Sequence, residues 1–349
     1  MNFNFFKNTG RTAINPTTVY RKQIIEGFSI PAIIHNSSYF FVDIDVYADG
    51  RVQCWNFEDI EHFKKDVRRG WVALSIPDNE EISIHDLGSW TITNGSWVFD
   101  KESFIDYVLS LIKELNPKSE NIYQYSPKII NGIRIGESGT GSIYKEHKRT
   151  PNDPFPKKID GKSVDLFYKI DNEYYLVKAI IFPDLTIDLC RLAKNVEITL
   201  QEFEELIAKE IIVTTILPNS KVNINGFGSF TVQEAQYTVE VKDKLLEIKD
   251  TIRELKGEPS SVDICREAYE QYINHPTLKN KEQLKISYEN VPDHHKMYVG
   301  DMDTKDIEVR MIIYGEQEIE NWSHYQVAKS MGGKLPTISI PKPKDESEE

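Results

Sequence analysis

Two stretches of this chain are copies of one unit, and no other feature narrows its possible folds as far. Tyr39-Phe40-Phe41-Val42 recurs as Tyr174-Tyr175-Leu176-Val177, and Leu87-Gly88-Ser89-Trp90-Thr91-Ile92 recurs as Phe227-Gly228-Ser229-Phe230-Thr231-Val232. The register holds from Tyr39/Tyr174 through Val46/Ile181 to Asp49/Asp184. It then resumes at Ile60/Leu200 and runs through Phe63/Phe203, Val67/Ile207, Ile82/Val222 and Ile112/Ile252 to Leu115/Leu255. The shift between the two registers is a five-residue insertion, Arg191-Leu192-Ala193-Lys194-Asn195 in the second copy, placed where a connecting loop tolerates extra length at small cost. Matching positions are mostly apolar, so the core is shared and the surface has diverged.

Each copy reads as α+β. Residues 39 to 47 alternate and are rich in aromatic and β-branched side chains, and Asp49-Gly50 turns the chain into Arg51–Cys54 as a hairpin. Ile60, Phe63 and Val67 have helical spacing, which predicts a helix over roughly 57 to 69. Gly70 ends it, and Lys64, Lys65, Arg68 and Arg69 suit the carbonyl end of its dipole. Strands are expected at 71 to 76, 81 to 85 and 89 to 93. Asp100 then caps a second helix with Phe104, Ile105, Val108, Leu109 and Ile112 on one face. The expected unit is a small sheet with both helices on one face.

The chain divides by composition into an N-terminal extension (1–27), a first repeat (28–116), a linker (117–162), a second repeat (163–256), a mainly helical module (257–334) and a disordered acidic tail (335–349). The linker is rich in Pro, Gly, Lys and Asn, with one strand expected at 128 to 135. In the third module, helices are expected at Val262–Tyr272, Leu284–Val291 and 317 to 331, with Ile307–Ile312 in a helical or extended segment ending at Gly315. The net charge of −13 over 349 residues lacks the basic footprint of a general nucleic-acid binder and suits a partner of positive charge. Three scattered cysteines support neither a disulfide framework nor a zinc knuckle. No stretch approaches 18 apolar residues and no signal-peptide core is evident, so a cytoplasmic protein away from membranes is expected.

Candidate chemistry is sparse. Gly136-Glu137-Ser138-Gly139-Thr140-Gly141-Ser142 lacks the lysine a phosphate-binding loop needs, and reads as a linker turn. Asp43 and Asp45 share a strand face, read as solvated, where the second copy has Lys178 and Ile180. Trp55, Arg68, Arg69 and Trp71 are residue types enriched at interface anchors, and the second copy replaces them with Cys190, Ala208, Lys209 and Ile211. They are the candidate protein-binding set. Asp293-His294-His295 with Asp301 and Asp303 supplies ligand types for a divalent metal or an acid/base pair, although adjacent histidines seldom converge on one ion. Asp301-Met302-Asp303 reads equally well as a loop entering a helix near Thr304.

Ile30–His35, Val42–Gly50 and Arg68–Val72 together resemble uncharacterised bacterial domains of unknown function. Small α+β domains of this look occur among immunity proteins of bacterial toxin systems and in defence-associated genes. The resemblance covers roughly 28 to 116, carries no catalytic motif, and implies a binding protein. The leading reading is therefore a non-enzymatic protein-binding factor of immunity or defence type, needing no cofactor. One alternative is a metal-dependent hydrolase or nuclease using His294, His295, Asp301 and Asp303. Another is a sensor holding a small molecule between modules.

Overall fold

The computed structural model describes residues 24–55, 57–123, 128–131, 133–135, 147–149 and 158–343. The first repeat runs β1 (Gly27–Asn36), β2 (Ser38–Tyr47), β3 (Arg51–Cys54), β4 (Phe57–Asp59), α1 (Ile60–Arg69), β5 (Val72–Ala73), β6 (Glu81–Ile84), β7 (Gly88–Trp97), α2 (Lys101–Leu115). Short strands β8 (Lys128–Ile130), β9 (Ile133–Ile135) and β10 (His147–Arg149) follow. The second repeat gives the same order: β11 (Ile159–Ile170), β12 (Glu173–Ile181), β13 (Thr186–Cys190), β14 (Val196–Thr199), α3 (Leu200–Ala208), β15 (Ile212–Val213), β16 (Lys221–Ile224), β17 (Gly228–Thr238), α4 (Val241–Leu255). Local chemistry fixes the helix ends. Asp59 caps α1 by accepting from His62 N at 2.8 Å, Gly70 ends it in the left-handed region (φ 82°), and Asp100 and Thr199 head capping boxes on α2 and α3.

The two repeats do not form two small sheets. They share one of 15 strands, with the order β10-β11-β12-β16-β17-β7-β6-β2-β1-β5 along its main path. At its centre β7 and β17 run antiparallel, with Gly88 opposite Thr238 and Gly228 opposite Trp97. Each copy thus pairs the start of its own strand with the end of the other's, the pattern of an approximate two-fold contact. Loop bonds repeat the pattern: Val98 N donates to Phe227 O and Val239 N to Leu87 O, both at 3.0 Å. Gly88 is required here, because a Cβ on it would lie 2.4 Å from Tyr237 O and 2.8 Å from the Trp90 ring.

Strand alternation divides the core into layers. On β12, Val177, Ala179 and Ile181 face α3 and α4 with Phe203, Ile248 and Ile252, whereas Tyr174 and Leu176 join the cluster that contains the first repeat's Phe41, Trp90 and Ile92. Trp90 meets Phe167 edge-on at 5.3 Å, and both rings are fully buried. The inner faces of the two halves thus form a common core, to which α1 and α2 add Phe63, Val67, Phe104 and Val108, while α3 and α4 pack in the separate layer of the second repeat. Both helices of a repeat do pack on one face, as expected.

The third module is α5 (Ser261–Asn274), α6 (Leu278–Glu289), a 3-10 helix at Asp293–Tyr298, α7 (Ile307–Tyr314), a 3-10 helix at Glu316–Asn321 and α8 (Ser323–Ser330) around Cys265, Tyr272, Leu284 and Ile312. The segment from Leu335, expected to be a free tail, lays Ile340 on this core, and Pro341 O accepts from the Tyr272 hydroxyl at 2.8 Å. Strand β1 went unforeseen. Among the described residues, no helix is long and apolar enough to cross a membrane.

Candidate functional site

A cleft of about 420 Å³ opens on the first repeat, lined by His35, Tyr39, Gly70, Trp97, Phe99 and Lys101 among others. Strand β1 turns His35 beside Tyr39, where the rings stack at 4.5 Å, and the His35 amide donates to Trp71 O at 2.8 Å, holding the chain after α1 against the sheet. Lys101 Nζ donates to Arg68 O at 2.8 Å, so α1 and α2 meet at one rim. Arg68 there pairs with Glu102 at 3.2 Å, and its hydrogen bond holds that carboxylate below its ordinary range. Arg69 pairs with Asp66 at 2.8 Å.

Of the candidate binding set, Arg68 and Trp71 touch cleft residues only through their backbone oxygens, bonded to Lys101 and His35, and Arg69 does not line it. Trp55 sits on the β3–β4 hairpin, 66% exposed, with its ring 5.7 Å from that of Phe40, and does not line it. The second repeat has Lys169, Thr238 and Val241 where the cleft has His35, Trp97 and Lys101. Its own cleft, about 290 Å³, lies elsewhere, against Ile198, Leu206 and Tyr168.

Asp43, read as a solvated strand acid, is instead the hub of an ion network between repeats. It accepts from Lys178 Nζ on one oxygen and from Arg191 on the other. Lys178 also donates to Ser29 Oγ at 3.1 Å, and Arg191 to Asp165 at 3.2 Å with its guanidinium 5.2 Å from the Phe41 ring. Lys178 is Asp43's own counterpart in the repeat, so the two equivalent positions meet near the approximate axis with opposite charges. Two acids or two lysines there would repel. Burial pushes the Asp165 carboxyl up, Arg191 opposes that, and the charge on Asp43 reinforces it. Arg191 begins the five-residue insertion, which is thus a charge-pairing element as well as a loop.

A second polar cluster lies where the third module meets the repeats. Acids along one side of α4 receive it: Asp243 accepts from Asp293 N at 3.2 Å, Glu247 meets His294 Nε2 at 2.8 Å, and Asp250 accepts from Ser261 N at 3.0 Å. Lys244 Nζ is 2.7 Å from Glu247 Oε2 with its side chain 2% exposed. His295 Nε2 lies 3.9 Å from Asp86 in the β6–β7 turn, and the two histidine rings sit 4.2 Å apart. Burial would raise Glu247, but His294 and Lys244 outweigh it and bring the carboxyl below its ordinary value. Burial likewise would lower His295, and Asp86 and Glu247 outweigh it, raising the imidazole.

These groups are acid/base and metal-ligand types, yet His294 and Glu247 are only 5% and 8% exposed, which leaves a substrate little approach. Asp301 and Asp303 are not brought to them. Asp301 Oδ1 accepts from Asp303 N and Thr304 N at 2.9 and 2.7 Å, an exposed turn ahead of α7, and those bonds lower its pKa. Among the described residues, the group able to share an ion is Glu247, His294 and His295. Sequence reasoning missed Glu247, Lys244 and Asp86, each of which reads as an ordinary surface residue. Burial pushes the Cys265 thiol up to about 12, which suits an inert core cysteine. The Gly136–Ser142 loop lies outside the described residues.

No curated protein and no solved structure matches the chain. Residues 260–338, the third module, match a domain of unknown function (DUF7639). The duplicated unit is matched twice by one family model, over residues 15–119 and 149–259, and the chain belongs to that family, described as a domain of unknown function (DUF7638).

Proposed function

We propose that the protein is a non-enzymatic recognition factor that binds another protein through the cleft of its first repeat. The observation that carries this reading is the cleft itself, walled by Tyr39, Trp97 and Phe99 and rimmed by Lys101, of which the second repeat keeps only the tyrosine, as Tyr174. A groove of this size accepts one aromatic or aliphatic anchor side chain, and aromatic walls are the usual make-up of an interface hot spot. The burial of the histidine cluster further supports binding over turnover. The net charge of −13 favours encounter with a positively charged partner.

The resemblance noted in the sequence extends the proposal to a cytoplasmic immunity-type or defence-associated factor, with a toxin-like protein as the partner. Ser75, exposed at the cleft wall, gives a clean test. Ser75→Trp plugs the cleft without touching the core. A partner retained by the wild-type chain should be lost at least about tenfold by this variant, a difference of some 1.4 kcal/mol. Equal retention by both chains would refute the assignment.

A further inference from the structure

We propose that Glu247, His294 and His295, completed by Asp86, bind one zinc-type divalent cation that fastens the third module to both repeats. Three segments far apart in the chain converge here: the β6–β7 turn of the first repeat, helix α4 of the second, and the Asp293–Tyr298 helix of the third module. One ligand atom from each of Glu247, His294 and His295 lies within 4.8 Å of the others. Zinc bonds of about 2.0–2.2 Å place tetrahedral ligands about 3.3–3.5 Å apart, so the Glu247–His294 pair, at 2.8 Å, opens slightly and the wider separations close by at most about 1.5 Å.

Two further observations point to a cation. Buried atoms at this junction have no hydrogen-bond partner, namely His294 Nδ1 and Asp243 Oδ2, and such orphans mark a place whose occupant is not protein. Charge gives the second. With the imidazoles neutral, as ligation requires, Asp86 and Glu247 both feel the ammonium of Lys244, and His85 stands 3.2 Å from Asp86 on the exposed side. Two carboxylates against one ammonium leave a negative charge for a cation to meet. Lys244 balances Glu247 while the site is metal-free and yields that contact when the ion enters. With the histidine and glutamate side chains this buried, the ion would be structural: it holds the module and meets no substrate.

The test uses the full chain, stripped by chelator and titrated with zinc sulfate by calorimetry. One equivalent should bind and raise Tm. Glu247→Gln and His295→Ala should lose both effects, whereas replacing Cys54, Cys190 and Cys265 by serine should lose neither. Cobalt(II) in place of zinc should show no thiolate charge-transfer band. If the ligand variants fail to fold, cobalt-shifted imidazole proton resonances in the wild-type chain decide the matter. Absence of binding to the folded wild-type chain, or a full equivalent retained by both ligand variants, overturns the proposal. So does binding that appears only in Lys244→Met, because the ammonium is then the cluster's own cation.

Discussion

Helices α2 and α4 hold equivalent places in the two repeats and have opposite fates. Ile105, Val108 and Ile112 on one, and Leu245, Ile248 and Ile252 on the other, keep the same apolar stripe against the sheet. Beside that stripe α2 turns Ser103, Tyr107 and Ser110 outward, and Tyr107 is 37% exposed. On α4 the same places carry Asp243, Glu247 and Asp250, all buried because the third module covers them. Position 104 is an aromatic core residue, and its counterpart is the buried ammonium of Lys244. Duplication thus preserved the face that makes the fold and released the neighbouring face. One copy used that freedom to seat a third module, and the other left a surface beside an open cleft.

The comparison breaks most visibly at the inter-repeat network. Asp43→Asn removes the shared acid of Lys178 and Arg191 and leaves two cations without it, so urea unfolding should show a loss of about 3–5 kcal/mol. Next comes an exchange of helix chemistry. Glu247→Tyr places the α2 residue on α4, strands Lys244 and His294, and should cost about 3 kcal/mol while opening the segment near Gly257 to protease. The reverse change, Tyr107→Glu on uncovered α2, should stay within about 0.5 kcal/mol.

Asp165 sharpens the comparison through pH. Its folded-state pKa is raised, so its contribution is fully present below the unfolded value and is lost as pH rises through the folded one. The stability of the wild-type chain relative to Asp165→Asn should therefore fall as pH is raised from about 4 toward neutrality. A difference that grows with pH would mean the Arg191 pairing dominates. The smallest effect is expected at Trp55→Ser, whose exposed ring should leave urea stability within about 0.5 kcal/mol.

How much of this was legible in the sequence depended on where burial comes from. Helix α1 was readable from Ile60, Phe63 and Val67 because one side faces the sheet and the other water, and Asp100 declared its cap. Strand β1 was not. Ile30, Ala32, Ile33 and Ile34 are all buried, so no alternation remains to read, and Pro31 argues against a strand. Asp43 looked solvated because strand alternation shows which residues share a face but not what opposes it. The partners of that acid lie on β12 and in the insertion, 135 and 148 residues away. The histidines were legible as a cluster, but they were grouped with Asp301 and Asp303 by nearness in sequence. In space those acids serve a turn, and the carboxylate beside His294 comes from α4.

The joining of both repeats through β7 and β17 is the claim on which the rest stands, and a cross-link tests it directly. Ser89 lies opposite Tyr237 across that pairing. In a chain with its native cysteines replaced, Ser89→Cys with Tyr237→Cys should oxidise to an intramolecular disulfide, identified by mass spectrometry of the linked peptides, because paired antiparallel positions fall within disulfide reach. A folded, monomeric chain whose two thiols stay free under the same oxidant would show that the repeats do not share a sheet.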